Sequence, residues 1–545
     1  MDARLRADPS WLAARRFSRR MVAAGRFRGR RLMAAHAVPP AVPLDVYEHS
    51  RLAHVHPESW CNPIPADCYQ LVIVGAGPAG VAAAEAAAAL GARVALIERH
   101  LLGGTCLNTG CLPSNTLIRT SRLYAEMRDA RHYGACGPRS VQVDFAAAME
   151  RMRRIRSHLS GEDSVRRLTA MGVDVFFGPA RFSGTDTLTV SEDTLRFRKA
   201  IIATGARPHV PSIPGLNEAG CLTNANVFNL TELPRRLLVI GGGPIGCELA
   251  QAFCRLGSRT TIVQDLPLFL AKEERDAAQI LSDAFARDGI EVRLNTTAVA
   301  VRMENGQKCV DLVSDDYHNT VAVDTILTGV GRLPNVEGLN LEAAGVDYAA
   351  GSGIRIDDFL RTSNPRIYAA GDVCLEHKYT DSAAASARIA VQNALLRGRR
   401  RLSEMVIPWC TFTDPEIAHV GLYVREANRQ GIPVKTFTIP MHEIDRGVTD
   451  GEDAGFVKIH VRERTDQILG ATIVARHAGD MINEITLAMV AGIGLRTLAR
   501  VIHAYPTQAE AIRQAADAYN RTRLTPRIHA RIRRWLSSTG SHMSG

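Results

Sequence analysis

The 545-residue sequence predicts an α/β protein: two doubly wound, Rossmann-like dinucleotide-binding domains plus a C-terminal α+β domain. Three observations carry this. A strand, glycine turn, helix and strand follow one another at 69–99, and the same unit recurs at 236–265. The first strand of each is a short uninterrupted apolar run, LVIV and LLVI, as expected of strands buried on both faces of a parallel sheet. Beyond about residue 404 the order changes to strands near FVKIHV and LGATIV, then helices near GDMINEITLAMVAG and PTQAEAIRQAADAYN. A chain this long exceeds one core, and three or four domains are expected.

The elements begin with a basic tail. The net charge of +10 is unevenly spread: residues 1–51 hold eleven arginines against four acids, and residues 521–534 hold six arginines and no acid. The remainder is slightly acidic. Such tails read as solvated extensions without fixed structure, able to touch an anionic surface; no nucleic-acid partner is expected for the chain as a whole. The stretch LAARRFSRRMVAAGRFRGRR is Arg-rich in the manner of an organelle transit peptide and lacks the apolar stretch of a secretory signal. Met21 and Met33 are alternative starts, and prolines at 39, 40, 43, 57, 63 and 65 read as a linker. No apolar run is long enough to cross a bilayer, since VAAAEAAAAL is short and interrupted by Glu85. Eleven scattered cysteines do not make a secreted disulfide framework, so a reducing, cytoplasmic setting is expected.

In the first unit Gly75, Gly77 and Gly80 fall on the G-x-G-x-x-G spacing. These positions suit a sharp turn, a close approach of pyrophosphate to backbone, and tight helix–strand packing, with the helix N-terminus facing the anion. Glu98 ends the next strand, where an acid hydrogen-bonds a ribose hydroxyl. The second unit repeats the pattern with Gly241, Gly243 and Gly246, and Gln264 followed by Asp265 takes the acid's place. Two dinucleotide folds imply two dinucleotides, and hydride passing between nicotinamide and flavin is the simplest use. Three further strands end at candidate cofactor loops, each of which taken alone also reads as an ordinary loop: KAIIATGARP at Thr204 and Gly205, TILTGVGRLPN at Gly331 and Arg332, and RIYAAGDV at Gly371 and Asp372, where the Asp is well placed to hold a cofactor hydroxyl.

Between the units stands GGTCLNTGCLPSN, residues 103–115. Positions five apart on an ideal helix lie roughly 8.6 Å from each other, and a disulfide needs Cα atoms within about 7 Å. Cys106 and Cys111 can therefore pair only if a helix begins or bends between them, as Gly103, Gly104 and Pro113 encourage. Inert buried thiols, a metal site and a reversible disulfide are the three readings. A metal site lacks a second Cys or His cluster at zinc-like spacing; the neighbouring dinucleotide fold favours a disulfide beside a flavin.

With these motifs (GAGPAG, GGTCLNTGCLPS, ATGARP, GGGPIGCE, GRLPN, YAAGD, FTDPEIAHVG and HAYPTQAEA) the chain resembles the FAD-dependent pyridine nucleotide–disulfide oxidoreductases over roughly residues 69–525, and within them the mercuric reductase branch. The resemblance implies a basic extension and linker over 1–68 and an FAD-binding domain over 69–215, completed by a central part at 334–403. It also implies an NAD(P)-binding domain over 216–333, a dimerisation domain over 404–525 and a basic tail over 526–545. It implies FAD with NADPH or NADH, and a homodimer. Electrons would pass from NAD(P)H through flavin to the cysteines, with Cys111 beside the flavin and Cys106 facing a small-molecule or thiophilic metal-ion substrate. Gly104, Thr105 and Glu248 join the cofactor set, and Tyr505 and Glu510 would complete the partner subunit's site.

Three departures bear on substrate. Asn115 stands where the family has a lysine paired with the glutamate matching Glu248, so Glu248 is expected to be protonated or paired elsewhere. Tyr505 stands where disulfide reductases carry a general-base histidine, and a phenol is a poor base at neutral pH; His503 is a substitute to weigh. No cysteine follows Cys410, so the C-terminal pair of mercuric reductases is missing, as is an N-terminal C-x-x-C domain. The expected activity is reduction of Hg(II) or another thiophilic oxidant. The alternatives are reduction of a small disulfide, or a weakened flavoprotein whose basic tails bind a membrane or partner.

Overall fold

In a computed structural model of the chain, which describes residues 43–135, 141–315 and 317–540, the first glycine unit builds the centre of a seven-stranded sheet. Tyr69–Val74 and Val94–Glu98 run parallel with Leu71 opposite Val94, and Asp193–Ile202 joins on the other side with Val74 opposite Ile202. Ile367–Ala369 returns far downstream to pair with the end of Asp193–Ile202, so this fold is assembled from two stretches of chain. The run of alanines in the helix Pro78–Ala89 explains the next layer. Ala83, Ala84 and Ala87 are fully buried in one cluster with Ala383, Ala387 and Ala390 of the helix Thr380–Leu395. Small side chains at the contact let the two helices lie close.

The second unit forms a four-stranded parallel sheet in the order Glu291–Arg293, Arg259–Val263, Arg236–Ile240, Thr325–Thr328. A three-stranded antiparallel sheet over Thr297–Glu304, Gln307–Val313 and His318–Val323 shares a core with it through Leu238, Val263, Val301, Val310 and Leu312. The C-terminal unit is a five-stranded antiparallel sheet whose core packs against Ala478–Val490 and Glu510–Arg523. Its strands Phe456–Arg462 and Ile468–Ala475 and these two helices fall on the expected stretches.

Two expectations are corrected. The stretch read as a linker contains the helix Val46–Val55, N-capped by Asp45, whose Oδ1 accepts from the Glu48 amide at 2.8 Å. Glu48 and Arg51 are buried by it rather than solvated, because they find charged partners in the core. The C-terminal tail, read as unstructured, includes the helix Pro526–Gly540. There Ile528, Ile532, Trp535 and Leu536 recur at helical spacing among four arginines, a periodicity that composition conceals. The Arg-rich stretch before residue 43, with Met21 and Met33, lies outside the described residues, as do residues 541–545. Among the described residues no helix is long and apolar enough to cross a membrane.

Candidate active site

The cysteine motif folds as two helices with a break. Gly104–Thr109 is followed by Gly110 at φ −135°, ψ −119°, and Cys111–Asp129 starts immediately after it. The two sulfurs are not bonded to each other, and the interruption brings them close enough for Cys106 to hydrogen-bond Cys111. Cys111 Sγ also lies 3.4 Å from Thr380 Oγ1. The hydrogen bond from Cys106 outweighs burial and, with Thr380, the backbone amide at the helix start and Arg332, pulls Cys111 down to about 6. The same bond and burial push Cys106 well up. Cys111 is therefore the readier of the two to ionise, and Cys106 the one that keeps its proton. Cys106, but not Cys111, lines a cavity of about 360 Å³ with Pro78, Asp163, Arg167, Thr380 and Arg388.

The candidate cofactor residues converge on this motif. Gly75 adopts φ +101°, and a Cβ there would stand 2.4 Å from Ala203 O. Gly104 adopts φ +54°, and its Cβ would stand 2.6 Å from Gly77 Cα, so the two backbones meet only because residue 104 is glycine, whereas a Cβ on Gly77 would make ordinary contact at 3.7 Å. Glu98 caps the turn, its carboxylate accepting from Ala76 N at 2.8 Å and His100 N at 2.9 Å. Thr204 Oγ1 donates to Asn335 O at 2.7 Å, while Asn335 Nδ2 donates back to Thr204 O, joining the loops that hold Gly205 and Gly331. Arg332 Nη2 reaches Ala206 O at 2.6 Å and Thr105 Oγ1 at 3.4 Å, and its Nε lies 3.4 Å from Asp372. Burial raises the Asp372 carboxyl against the pull of Arg332 and Lys378. The Gly371 amide donates to Ser386 Oγ at 3.1 Å. This glycine-faced cradle, helix N-terminus and pair of acids fit a flavin dinucleotide.

The second cradle copies the first in neutral form. Gln264 Oε1 accepts from Gly242 N at 2.7 Å, as Glu98 does from Ala76, and its Nε2 donates to Asp265. Gly241 and Gly246 repeat the close approach, a Cβ on Gly246 falling 2.1 Å from Gly241 O, and Gly243 caps the helix Pro244–Arg255. Glu248 on that helix has no lysine partner. Its Oε1 accepts from Phe412 N at 2.9 Å, Asn115 turns instead to Cys111 O at 3.0 Å, and burial raises the Glu248 carboxyl to about 7 against that amide's pull.

The remaining candidates do not join the cysteines within one chain. Tyr505 is 70% exposed and donates to Asp445 Oδ2 at 2.6 Å, a bond that raises its pKa. Glu510 accepts from Arg513 at 2.7 Å, and His503 Nε2 lies 3.0 Å from Glu484. Sequence reasoning missed three groups that touch the thiol motif. These are Thr380, Asn224, whose Nδ2 donates to Thr109 O at 3.0 Å, and the charges around Asn108. Each lies tens to hundreds of residues from its contact, and no local pattern marks it.

Two glycine-turn dinucleotide folds meeting at an unequal pair of thiols define an oxidoreductase that exchanges electrons with sulfur. Residues 69–394 match the family model for pyridine nucleotide-disulphide oxidoreductases, and residues 407–516 match that family's dimerisation domain. The chain belongs to this family, whose members use FAD and NAD(P)H. It is 33% identical over 453 residues to a mercuric reductase of Staphylococcus aureus, covering 83% of each chain. It is 34% identical over 453 residues to a dihydrolipoyl dehydrogenase of Geobacillus stearothermophilus, covering 82% of this chain and 95% of the relative. Among solved structures, the Cu(II) complex of the HOCl-induced flavoprotein disulfide reductase RclA from Escherichia coli superposes with a TM-score of 0.75 at 30% identity. That match covers 83% of this chain and all of RclA.

Proposed function

We propose that this protein uses NAD(P)H to reduce a thiophilic oxidant, Hg(II) or a similar soft metal ion, at Cys106 and Cys111. When bound, FAD supplies the two-electron link between nicotinamide and sulfur. Cys111 supplies a thiolate near neutral pH, and Cys106, lining the cavity, supplies the sulfur that meets substrate. Soft sulfur ligands suit such ions. Two electrons from NAD(P)H convert Hg(II) to Hg(0), leaving NAD(P)+ and a proton.

The observation that carries the reading is Tyr505. Cleaving a substrate disulfide releases a thiolate that must gain a proton, normally from a positioned acid–base group. A phenol donating to Asp445, its pKa raised, is a poor proton shuttle, and a soft cation needs none. The mercuric reductase relatives and the Cu(II) complex of RclA are compatible with a soft-cation substrate, although RclA is itself a disulfide reductase and the dihydrolipoyl dehydrogenase relatives are equally similar. In this reading Tyr505 and Glu510 complete the site of a second subunit. The exposed Leu487, Val490 and Ile502 of the C-terminal unit supply an apolar face for that homodimer, and a cytoplasmic location belongs to the same proposal.

The test compares NADPH and NADH oxidation driven by Hg(II) with that driven by lipoamide or glutathione disulfide, in the wild type and Tyr505→His. The expected result is faster turnover with the metal ion in the wild type. In the variant, disulfide turnover should rise roughly 100-fold, the low end of acid–base catalysis. Wild-type disulfide turnover exceeding that with the metal ion would overturn the proposal.

A further inference from the structure

The helix Val46–Val55 precedes the family match, which begins at residue 69, yet it reaches the turn between the two thiols. Arg51 spans two partners. Its Nε donates to Glu48 Oε2 at 3.0 Å, its Nη2 to Glu48 Oε1, and its Nη1 to Asn108 Oδ1. Arg156, from the helix Phe145–Leu159, donates to the same Glu48 Oε2 at 3.0 Å and to the Asn108 carbonyl at 2.9 Å. Asn108 Nδ2 in turn donates to Leu102 O at 2.9 Å and Gly104 O at 2.8 Å, and Leu102 N bonds Val55 O at 3.2 Å. Glu48, Arg51, Asn108 and Arg156 are all at most 6% exposed.

The charges explain why the cluster extends to Asn108. Two guanidinium groups share one carboxylate in a site closed to water, and a buried cation needs acceptors for its remaining N–H groups. Asn108 supplies two, from its side chain and its backbone. Its amide group, using both N–H bonds and its oxygen, is thereby fixed to residues before the first cysteine and to the helix Val46–Val55.

We propose that Arg51 is a positioning residue for the thiol pair: acting through Asn108, it holds the Gly104–Gly110 turn so that Cys106 and Cys111 stay within reach of one another. This rests on the reading of the pair as a reversible disulfide. Closing the bond joins Cys106 Sγ to Cys111 Sγ, releases the proton that Cys106 carries and gives two electrons to an external disulfide. With glutathione disulfide as oxidant, its S–S bond breaks and two glutathione sulfurs leave, one taking up that proton and the other a proton from water. A turn held in place raises the effective concentration of one thiol at the other, so releasing it makes the protein disulfide easier to reduce.

The experiment equilibrates FAD-loaded protein with glutathione buffers of graded ratio, quenches with acid and alkylates. Peptide mass mapping then reads the Cys106–Cys111 disulfide fraction. Arg51→Met, which donates to neither Glu48 nor Asn108, and Arg51→Lys, which loses the forked guanidinium contact, should lower the equilibrium constant for closure about tenfold, a shift of roughly 30 mV for a two-electron couple. Arg51→Lys keeps the charge opposite Glu48, and serves where Arg51→Met fails to retain FAD. Arg153→Met removes another contact of the same segment, Arg153 to Asp45 at 2.5 Å, without touching Asn108, and should stay within twofold of the wild type. Closure constants within twofold of the wild type in both Arg51 variants would overturn the proposal, as would an equal fall in Arg153→Met. A wild-type pair that closes at no glutathione ratio would instead overturn the underlying disulfide reading.

Discussion

Replacing Glu248 by glutamine isolates one electrostatic peculiarity of the site, a buried carboxyl with no cationic partner among the described residues. Burial lifts this carboxyl from the ordinary 4.5 to about 7, and Cys111 and Glu416 add to the effect. The unfolded chain releases the proton near the lower value while the folded protein keeps it until the higher one. The folded state therefore bears no penalty below pH 4.5, loses stability as pH rises, and reaches its full loss just above 7. The difference of about 2.5 pKa values corresponds to roughly 3 kcal/mol. Glutamine preserves an acceptor for the Phe412 amide and cannot ionise. Chemical unfolding of wild type and Glu248→Gln should give stabilities that agree at pH 4 and diverge to about 3 kcal/mol, in favour of the variant, by pH 8. Infrared spectroscopy should show a buried C=O stretch that titrates near pH 7 in the wild type alone. Parallel stability curves across this range, or a carboxyl that titrates near 4.5, would refute the argument.

Two other outcomes follow from the geometry. Gly104→Ala puts a methyl carbon 2.6 Å from Gly77 Cα on a residue at φ +54°. Strain and overpacking of about 2–4 kcal/mol should weaken FAD binding roughly 30- to 1,000-fold, read by flavin absorbance of the purified protein. Thr380→Val removes the hydroxyl beside Cys111, so the midpoint for iodoacetamide alkylation of Cys111 in the reduced protein should rise from about 6 by roughly one pH value.

What the sequence disclosed and what it hid divide along chain distance. Gly75, Gly77 and Gly80 are legible because the strand, turn and helix that give them meaning are contiguous, and Cys106 and Cys111 because five positions on a helix set a definite length. Asn115 and Tyr505 were visible as departures, yet what replaces their expected partners was not. Phe412 and Asp445 lie far from Glu248 and Tyr505 in the chain; Phe412 opens the FTDPEIAHVG motif, but nothing in that motif shows that its amide faces Glu248, and Asp445 carries no motif. The helix Val46–Val55 shows why charge counting misleads. Arg51 contributes to the basic tail on paper, but its environment is set by Arg156, whose approach depends on the folding of the whole first domain. The apolar period of Pro526–Gly540 was present in the sequence and was obscured by its arginines.

The contact between Cys111 and Thr380 joins residues 269 positions apart. At about 5–20 residues added per second, the ribosome releases both thiols roughly ten to fifty seconds before the hydroxyl that belongs beside them exists. For that interval a nucleophilic sulfur pair travels on an unfinished chain, and reductants or chaperones of the host must guard it from pairing with the wrong cysteine.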